Sequence, residues 1–193
     1  MTNITSLEET LGSKRSIDGG LVDKFKEALN ERALDYLQNE RGLSLDTIRH
    51  FNLGYDAEKD AIAIPLYKRD VLIAIKYRFI EEKDGKRYDY EKGNQNWIFN
   101  EDGIDQARKS GGVVIVEGEF DCMSVWQSGI RNVVSPASGK DSYGVWIEQL
   151  DTIPKILIAY DNDKGGKETA LKMAERLGTE KCYEITYPDN VVY

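Results

Sequence analysis

Two cysteines, one histidine and four prolines are all that the 193 residues contain of three types on which many sites and folds depend. Cys122 and Cys182 stand alone, which leaves neither a zinc-binding spacing nor a disulfide framework. A Ser–His nucleophile or a His-ligated zinc would have only His50 to use, and His50 falls in an amphipathic stretch where a surface position explains it. No apolar run approaches the length of a membrane span, and the N-terminus has neither the basic flank nor the apolar stretch of a signal peptide. The expectation is a cytoplasmic protein with no membrane partner. There is no excess of positive charge either: the net charge is −8. That excludes a uniformly cationic nucleic-acid coat, but not a basic groove on an acidic body, because phosphate contacts depend on the local field.

What is present is concentrated in the second half. Val113 to Asp121 (VVIVEGEFD) and Lys155 to Asp163 (KILIAYDND) are each an apolar, β-branched run of strand length that ends abruptly in carboxylates. Such runs fit strands covered on both faces, as in a parallel sheet between helices. In open α/β sheets, chemistry gathers beyond the carboxyl ends of the strands. Glu117 is at one such end, and Asp161 and Asp163 at another. If the strands are neighbours, three acids converge and repel one another unless a cation joins them, and an all-oxygen donor set suits Mg2+ or Mn2+. Taken alone, each acid reads first as an ordinary helix N-cap or turn carboxylate; the two motifs together, each at the end of a buried strand, favour the metal site.

Along the chain, residues 1–20 form a polar tail or linker, 21–106 a smaller α+β subdomain, and 107–193 the α/β unit. Apolar spacing predicts a helix over 21–37, ended by Gly42 with Arg41 near its negative pole. Ser44 caps a short helix to about Phe51, with Leu45, Ile48 and Phe51 inward. AIAIPLY and VLIAIKYRFI are strands joined by a turn at 68–70. The second has Ile73, Ile75, Tyr77 and Phe79 on one face and Lys76, Arg78 and Ile80 on the other. A hairpin follows, tipped by Asp84-Gly85, and residues 97–99 return to the core. In the second half, CMSVWQSG is the crossover helix, IRNVVSPA a strand, 143–150 a helix, the stretch from Lys167 to Gly178 another helix, and KCYEITYP a last strand. Ser138-Gly139-Lys140 is not a Walker A loop: the upstream glycine is missing and Asp141 follows the lysine. Lys140 nevertheless lies at the strand-end edge with the acids, where it is a candidate phosphate contact.

The two acidic motifs resemble those of the TOPRIM domain of primases, topoisomerases and some nucleases: E-G-x-x-D as Glu117-Gly118-Glu119-Phe120-Asp121, and D-x-D as Asp161-Asn162-Asp163. The stretch YLQNERGLSLDTIRHFNLGY, then AIAIPLY, then Lys76-Tyr77-Arg78 resembles the subdomain that precedes TOPRIM in DnaG-type primases and in phage primase-helicases. The likeness runs from about Ala33 to Pro188. It implies a doubly wound parallel sheet flanked by helices, preceded by a smaller α+β subdomain with a basic antiparallel strand. It also implies a primase polymerase core that makes short RNA primers on single-stranded DNA from ribonucleoside triphosphates.

In that resemblance Glu117, Asp161 and Asp163 hold Mg2+ or Mn2+, with Glu117 either a ligand or the general base. Asp121 orients a metal-bound water or caps a helix, Lys76 and Arg78 hold the triphosphate or template, and Glu119 has no role. A TOPRIM nuclease would use the same acids on water, and a non-catalytic nucleic-acid-binding module would not need all three. A topoisomerase does not fit: the chain is short and none of its eleven tyrosines stands out. The chain carries no cysteine-rich zinc module and no further K-D-x-N-type motif after Pro188-Asp189. A separate zinc-binding module and a replicative helicase or helicase domain are the implied partners, and a fragment of a longer primase-helicase is one expectation.

Overall fold

A computed structural model describes residues 17–90, 98–137 and 145–186, and its first departure from the apolar pattern is at Asn30. Instead of one helix over 21–37 there are two, α1 (Gly19–Glu27) and α2 (Glu31–Asp35). Asn30 takes extended backbone and its side chain accepts the Ala33 N–H at 2.9 Å. Capping the second helix satisfies one of its orphan donors, which competes with continuing the first. A π-helical turn, Tyr36–Glu40, extends α2. The next helix, α3 (Leu45–His50), starts at Ser44 as the sequence predicts, with the Ser44 Oγ accepting the Thr47 N–H at 3.2 Å. Ile48 and Phe51 are buried, but Leu45 is 42% exposed. Thr47 points inward in its place, because its hydroxyl and the Ser44 N–H both reach the Gln127 side chain.

Strands β1 (Gly54–Asp56), β2 (Ala61–Lys68), β3 (Val71–Lys83) and β4 (Lys86–Tyr90) form an antiparallel sheet in chain order. Two-residue turns join β2 to β3 at Arg69-Asp70 (φ +48° and +63°) and β3 to β4 at Asp84-Gly85 (φ +50° and +73°). Paired positive φ values give the local twist that lets strands close into a hairpin. β2 is buried along its first six residues because both faces are covered. Ala61 and Ala63 pack with Val22 and Phe25 of α1, while Ile62, Ile64 and Leu66 enter the main core. The α1 contact is close: a Cβ on Gly54 would come within 2.5 Å of the Phe25 backbone.

The second sheet comprises β5 (Ile98–Phe99), β6 (Gly112–Val116), β7 (Val133–Pro136), β8 (Lys155–Ala159) and β9 (Cys182–Glu184), in the order β5-β7-β6-β8-β9. β6 to β9 are parallel and β5 is antiparallel to β7. Helices α4 (Asp102–Ser110), α5 (Glu119–Gln127) and α6 (Lys164–Leu177) connect them. This is the flanked parallel sheet expected, with the antiparallel sheet ahead of it. β5 lies before the 106/107 boundary yet belongs to the second sheet, and one core runs through Leu66 and Ala74 of the first sheet and Phe99, Val116 and Ala137 of the second. Val113 and Ile115 are fully buried, each contributing roughly 1.5–3 kcal/mol. The predicted helix over 143–150 is a 3-10 helix where it is described, Val145–Leu150.

One polar cluster ties α2 to the first sheet. The Arg32 guanidinium donates to both Asp60 oxygens at 3.0 and 3.2 Å and to Glu81 at 2.8 Å, and the Tyr55 hydroxyl donates to Asp60 at 2.7 Å. The hydrogen bonds from Arg32, then Tyr55, hold the Asp60 carboxyl below the ordinary carboxylate value. A depressed folded pKa stabilises fully above the unfolded value and is lost as pH falls through the folded one. Urea midpoints of wild type and Asp60→Asn are therefore expected to differ near neutrality and to converge below about pH 4. A constant difference down to pH 2 would contradict this account of Asp60.

Candidate metal and nucleic-acid site

β6 and β8 pair directly, in parallel, with Val116 opposite Ala159. The residues just past their ends therefore emerge side by side. The Asp161 N–H donates to Glu117 Oε2 at 3.4 Å. Tyr160 is buried, with its hydroxyl on the Met173 sulfur at 3.6 Å, which fixes the chain just before Asp161. α6 starts close against this turn: a Cβ on Gly166 would collide with the Asp161 carbonyl oxygen, so only glycine fits. Asp163 is the N-cap of α6, accepting the Gly166 N–H at 2.6 Å. Asp121 likewise accepts the Gly118 N–H, at 3.0 Å, in the first turn of α5. Its carboxyl is pushed up to about 6, by loss of water around it and by the negative charge of Asp161, then of Glu117 and Glu119. The residue is exposed, so the like charges are the firmer of these causes.

The basic strand β3 reaches the first turn of α5 through Lys76. β3 lies between β2 and β4, an interior strand and not a solvated edge. Lys76 and Arg78 share one face, opposite Tyr90 and Tyr88 of β4. The Lys76 amine donates to both Glu119 oxygens, at 2.7 and 2.8 Å, and the two side chains are only 13% and 3% exposed. Burial pulls the Lys76 pKa down, but the charge and hydrogen bonds of Glu119 raise it more, leaving it above the ordinary lysine value. Glu119, expected to be idle, is thus the partner of Lys76. Two guanidiniums meet on one phenol: Arg78 Nε donates to the Tyr36 hydroxyl at 3.0 Å, and Arg41 Nε and Nη2 donate to it at 2.9 and 2.7 Å. Arg41 also lies over the Phe120 ring at 4.9 Å, and Arg78 over Tyr88 at 4.8 Å. Among the described residues neither guanidinium forms an ion pair with a carboxylate.

A Toprim domain profile matches residues 111–186. Over 191 aligned residues the chain is 29% identical to the Twinkle homolog protein, chloroplastic/mitochondrial, of Arabidopsis thaliana, covering 87% of this chain and 24% of that one. It is 30% identical over 155 residues to protein MG010 of Mycoplasma genitalium, an uncharacterized protein, covering 76% and 69%. The crystal structure of the Aquifex aeolicus primase zinc-binding and RNA polymerase domains superposes with a TM-score of 0.76 at 21% identity, over 89% of this chain and 54% of that one. The chain belongs to the TOPRIM-containing primase family. It spans about a quarter of the Twinkle homolog and about half of the Aquifex chain. In this chain the matched span holds both acidic motifs, while Lys76, Arg78 and Arg41 lie ahead of it.

The carboxylates suit a hard dication in chemistry, as an all-oxygen donor set. Among the described residues no three His, Cys, Asp or Glu side chains already converge as a set that could hold one. Glu117 and Asp161 would hold it first, with water or phosphate oxygens completing its shell, as Mg2+ commonly requires. Asp163, whose Oδ1 caps α6, would be a further donor, and Asp121 is near enough to Asp161 and Glu117 to feel their charge. Lys140 lies outside the described residues, as does Pro188-Asp189. Arg41 escaped the sequence reading because its place before Gly42 suits a helix C-terminus. The one signal was its position five residues after Tyr36, within reach on a helical turn. Added Mn2+ is expected to raise the melting temperature, an effect removed by EDTA and absent in Asp161→Asn, since a ligand bound only by the fold stabilises it. An equal rise in Asp161→Asn would place the ion elsewhere.

Proposed function

We propose that the chain is the nucleotidyl-transfer core of a primase, joining ribonucleotides into short primers on a single-stranded DNA template. The observation that carries this reading is that two unlike charge clusters both adjoin the start of α5. Glu117 and Asp161 lie side by side at the ends of paired strands. Arg41, which shares the Tyr36 hydroxyl with Arg78, packs on Phe120 in the first turn of α5. Two cations sharing a neutral acceptor favour an anion beside them, and a planar guanidinium fork matches phosphate.

In this reading the 3′-hydroxyl of one nucleotide attacks the α-phosphate of the next, and pyrophosphate leaves. When bound, Mg2+ or Mn2+ would neutralise charge on the transferred phosphorus and lower the pKa of the hydroxyl. Arg41 and Arg78 hold the triphosphate, and so limit its orientation. Asp161 and Asp163 supply oxygen donors; Glu117 supplies another or accepts the hydroxyl proton. Asp121 orients water at this edge while capping α5. Lys140 is assigned a phosphate contact from its sequence position alone. The tyrosine rings of β4 beside Lys76 and Arg78 offer faces on which template bases can stack. A helicase or helicase domain and a separate zinc-binding module are the proposed partners. No helix among the described residues is long and apolar enough to cross a membrane.

The test supplies single-stranded DNA, ribonucleoside triphosphates and Mg2+. Short oligonucleotides are the expected product. Asp161→Ala should abolish them with the circular dichroism spectrum unchanged, and Arg41→Ala should raise the KM for nucleotide roughly 10-fold or more, as loss of a charge-assisted hydrogen bond implies. Cleavage of the template with no product made would replace this reading with a TOPRIM nuclease.

A further inference from the structure

The ion pair of Lys76 and Glu119 joins two elements that carry different halves of the candidate site. Lys76 is on β3, two residues before Arg78, and Glu119 is in the first turn of α5, between Glu117 and Asp121. The amine is chelated by both carboxylate oxygens at 2.7 and 2.8 Å. The Tyr88 ring lies 4.3 Å from it and the Tyr90 ring 5.6 Å. We propose that Lys76 and Glu119 are positioning residues, a lock that sets the acid edge of the parallel sheet against the Arg78 guanidinium of the antiparallel sheet, and that Lys76 does not itself contact phosphate.

The proposal rests on the primase reading above and deepens it. For Lys76 to reach a phosphate, its amine would have to leave Glu119. That would strand a nearly sealed carboxylate beside Glu117 and Asp121, and an unpaired buried charge is strongly unfavourable. Arg78 has no such obstacle, since it donates to neutral phenol hydroxyls, Tyr36 first among them. On a strand the two residues are about 7 Å apart, so the lock at Lys76 fixes where Arg78 stands relative to Glu117. Reacting groups displaced by about 1 Å can lose roughly 100-fold in rate. Removing one partner should therefore act on turnover and leave nucleotide affinity nearly intact. Replacing both by apolar side chains of similar volume should restore packing without the charges.

The experiment compares Lys76→Met, Glu119→Gln and the double variant K76M/E119M in the full chain. It measures kcat and KM for ribonucleotides, together with amide exchange over residues 117–123 and 74–78. Each single variant should lower kcat about 100-fold with KM within about 3-fold, and should speed exchange in both segments. The double variant should regain kcat to within about 10-fold of wild type and recover amide protection. A KM raised 10-fold or more in both Lys76→Met and the double variant, with α5 exchange normal, would make Lys76 a phosphate ligand and overturn the proposal. If the wild type makes no primers, the primase reading fails and the exchange arm decides the lock alone: unchanged protection in both single variants would overturn it.

Discussion

The arrangement depends on one pairing, that of β6 with β8 in parallel and in the register that sets Val116 against Ala159. Parallel neighbours end at the same edge, so whatever follows each strand is brought together without any long-range design of its own. Here a glutamate follows the first immediately, and an aspartate follows the second one residue later. A shift of one residue would turn Glu117 to the other face, because side chains alternate along a strand. The buried Val113, Ile115, Ile156 and Ile158 set that register through the core. Packing of apolar side chains thus decides where the negative charge lies.

For a chain of net charge −8 to handle polyanions, as proposed, its charges must be separated locally. The described residues achieve this by giving three carboxylates near the acid edge a defined duty. Glu119 takes the Lys76 amine, Asp121 the Gly118 N–H and Asp163 the Gly166 N–H. On the basic side, Arg41 and Arg78 converge on a phenol hydroxyl, where a carboxylate would have neutralised them. The result is a negative pole at the end of the second sheet and a positive pole at Arg41 and β3; one core runs through both sheets, and the buried Lys76–Glu119 pair joins β3 to α5. A phosphate bound between such poles would be attracted from one side and need a cation on the other.

Much of this was legible in the residues, for reasons that also mark where legibility stops. VVIV and KILIA read as covered parallel strands because nothing in them alternates, and their carboxylate ends stand out against that background. Asp84-Gly85 announced its hairpin through left-handed backbone. Asn30 did not announce itself: apolar spacing continued through it, while its side chain stopped the helix. Leu45 looked inward by spacing, yet a hydroxyl–amide contact between Thr47 and Gln127, 80 positions apart, turned the short helix instead. Glu119 was invisible for the same reason. Its partner is 43 positions away on a strand of the first sheet, and no local pattern encodes a contact of that range. The TOPRIM motifs point to Glu117, Asp161 and Asp163 because those residues are ordered by their own strands.

The central claim is that Glu117 and Asp161 share one divalent ion at the end of β6 and β8. Anomalous diffraction from a crystal soaked in Mn2+ tests it most directly. The account predicts a peak about 2.0–2.2 Å from a carboxylate oxygen of each residue, with Asp163 or solvent completing the shell. A peak bound elsewhere, or a lysine amine between the two carboxylates with no peak at all, would contradict it.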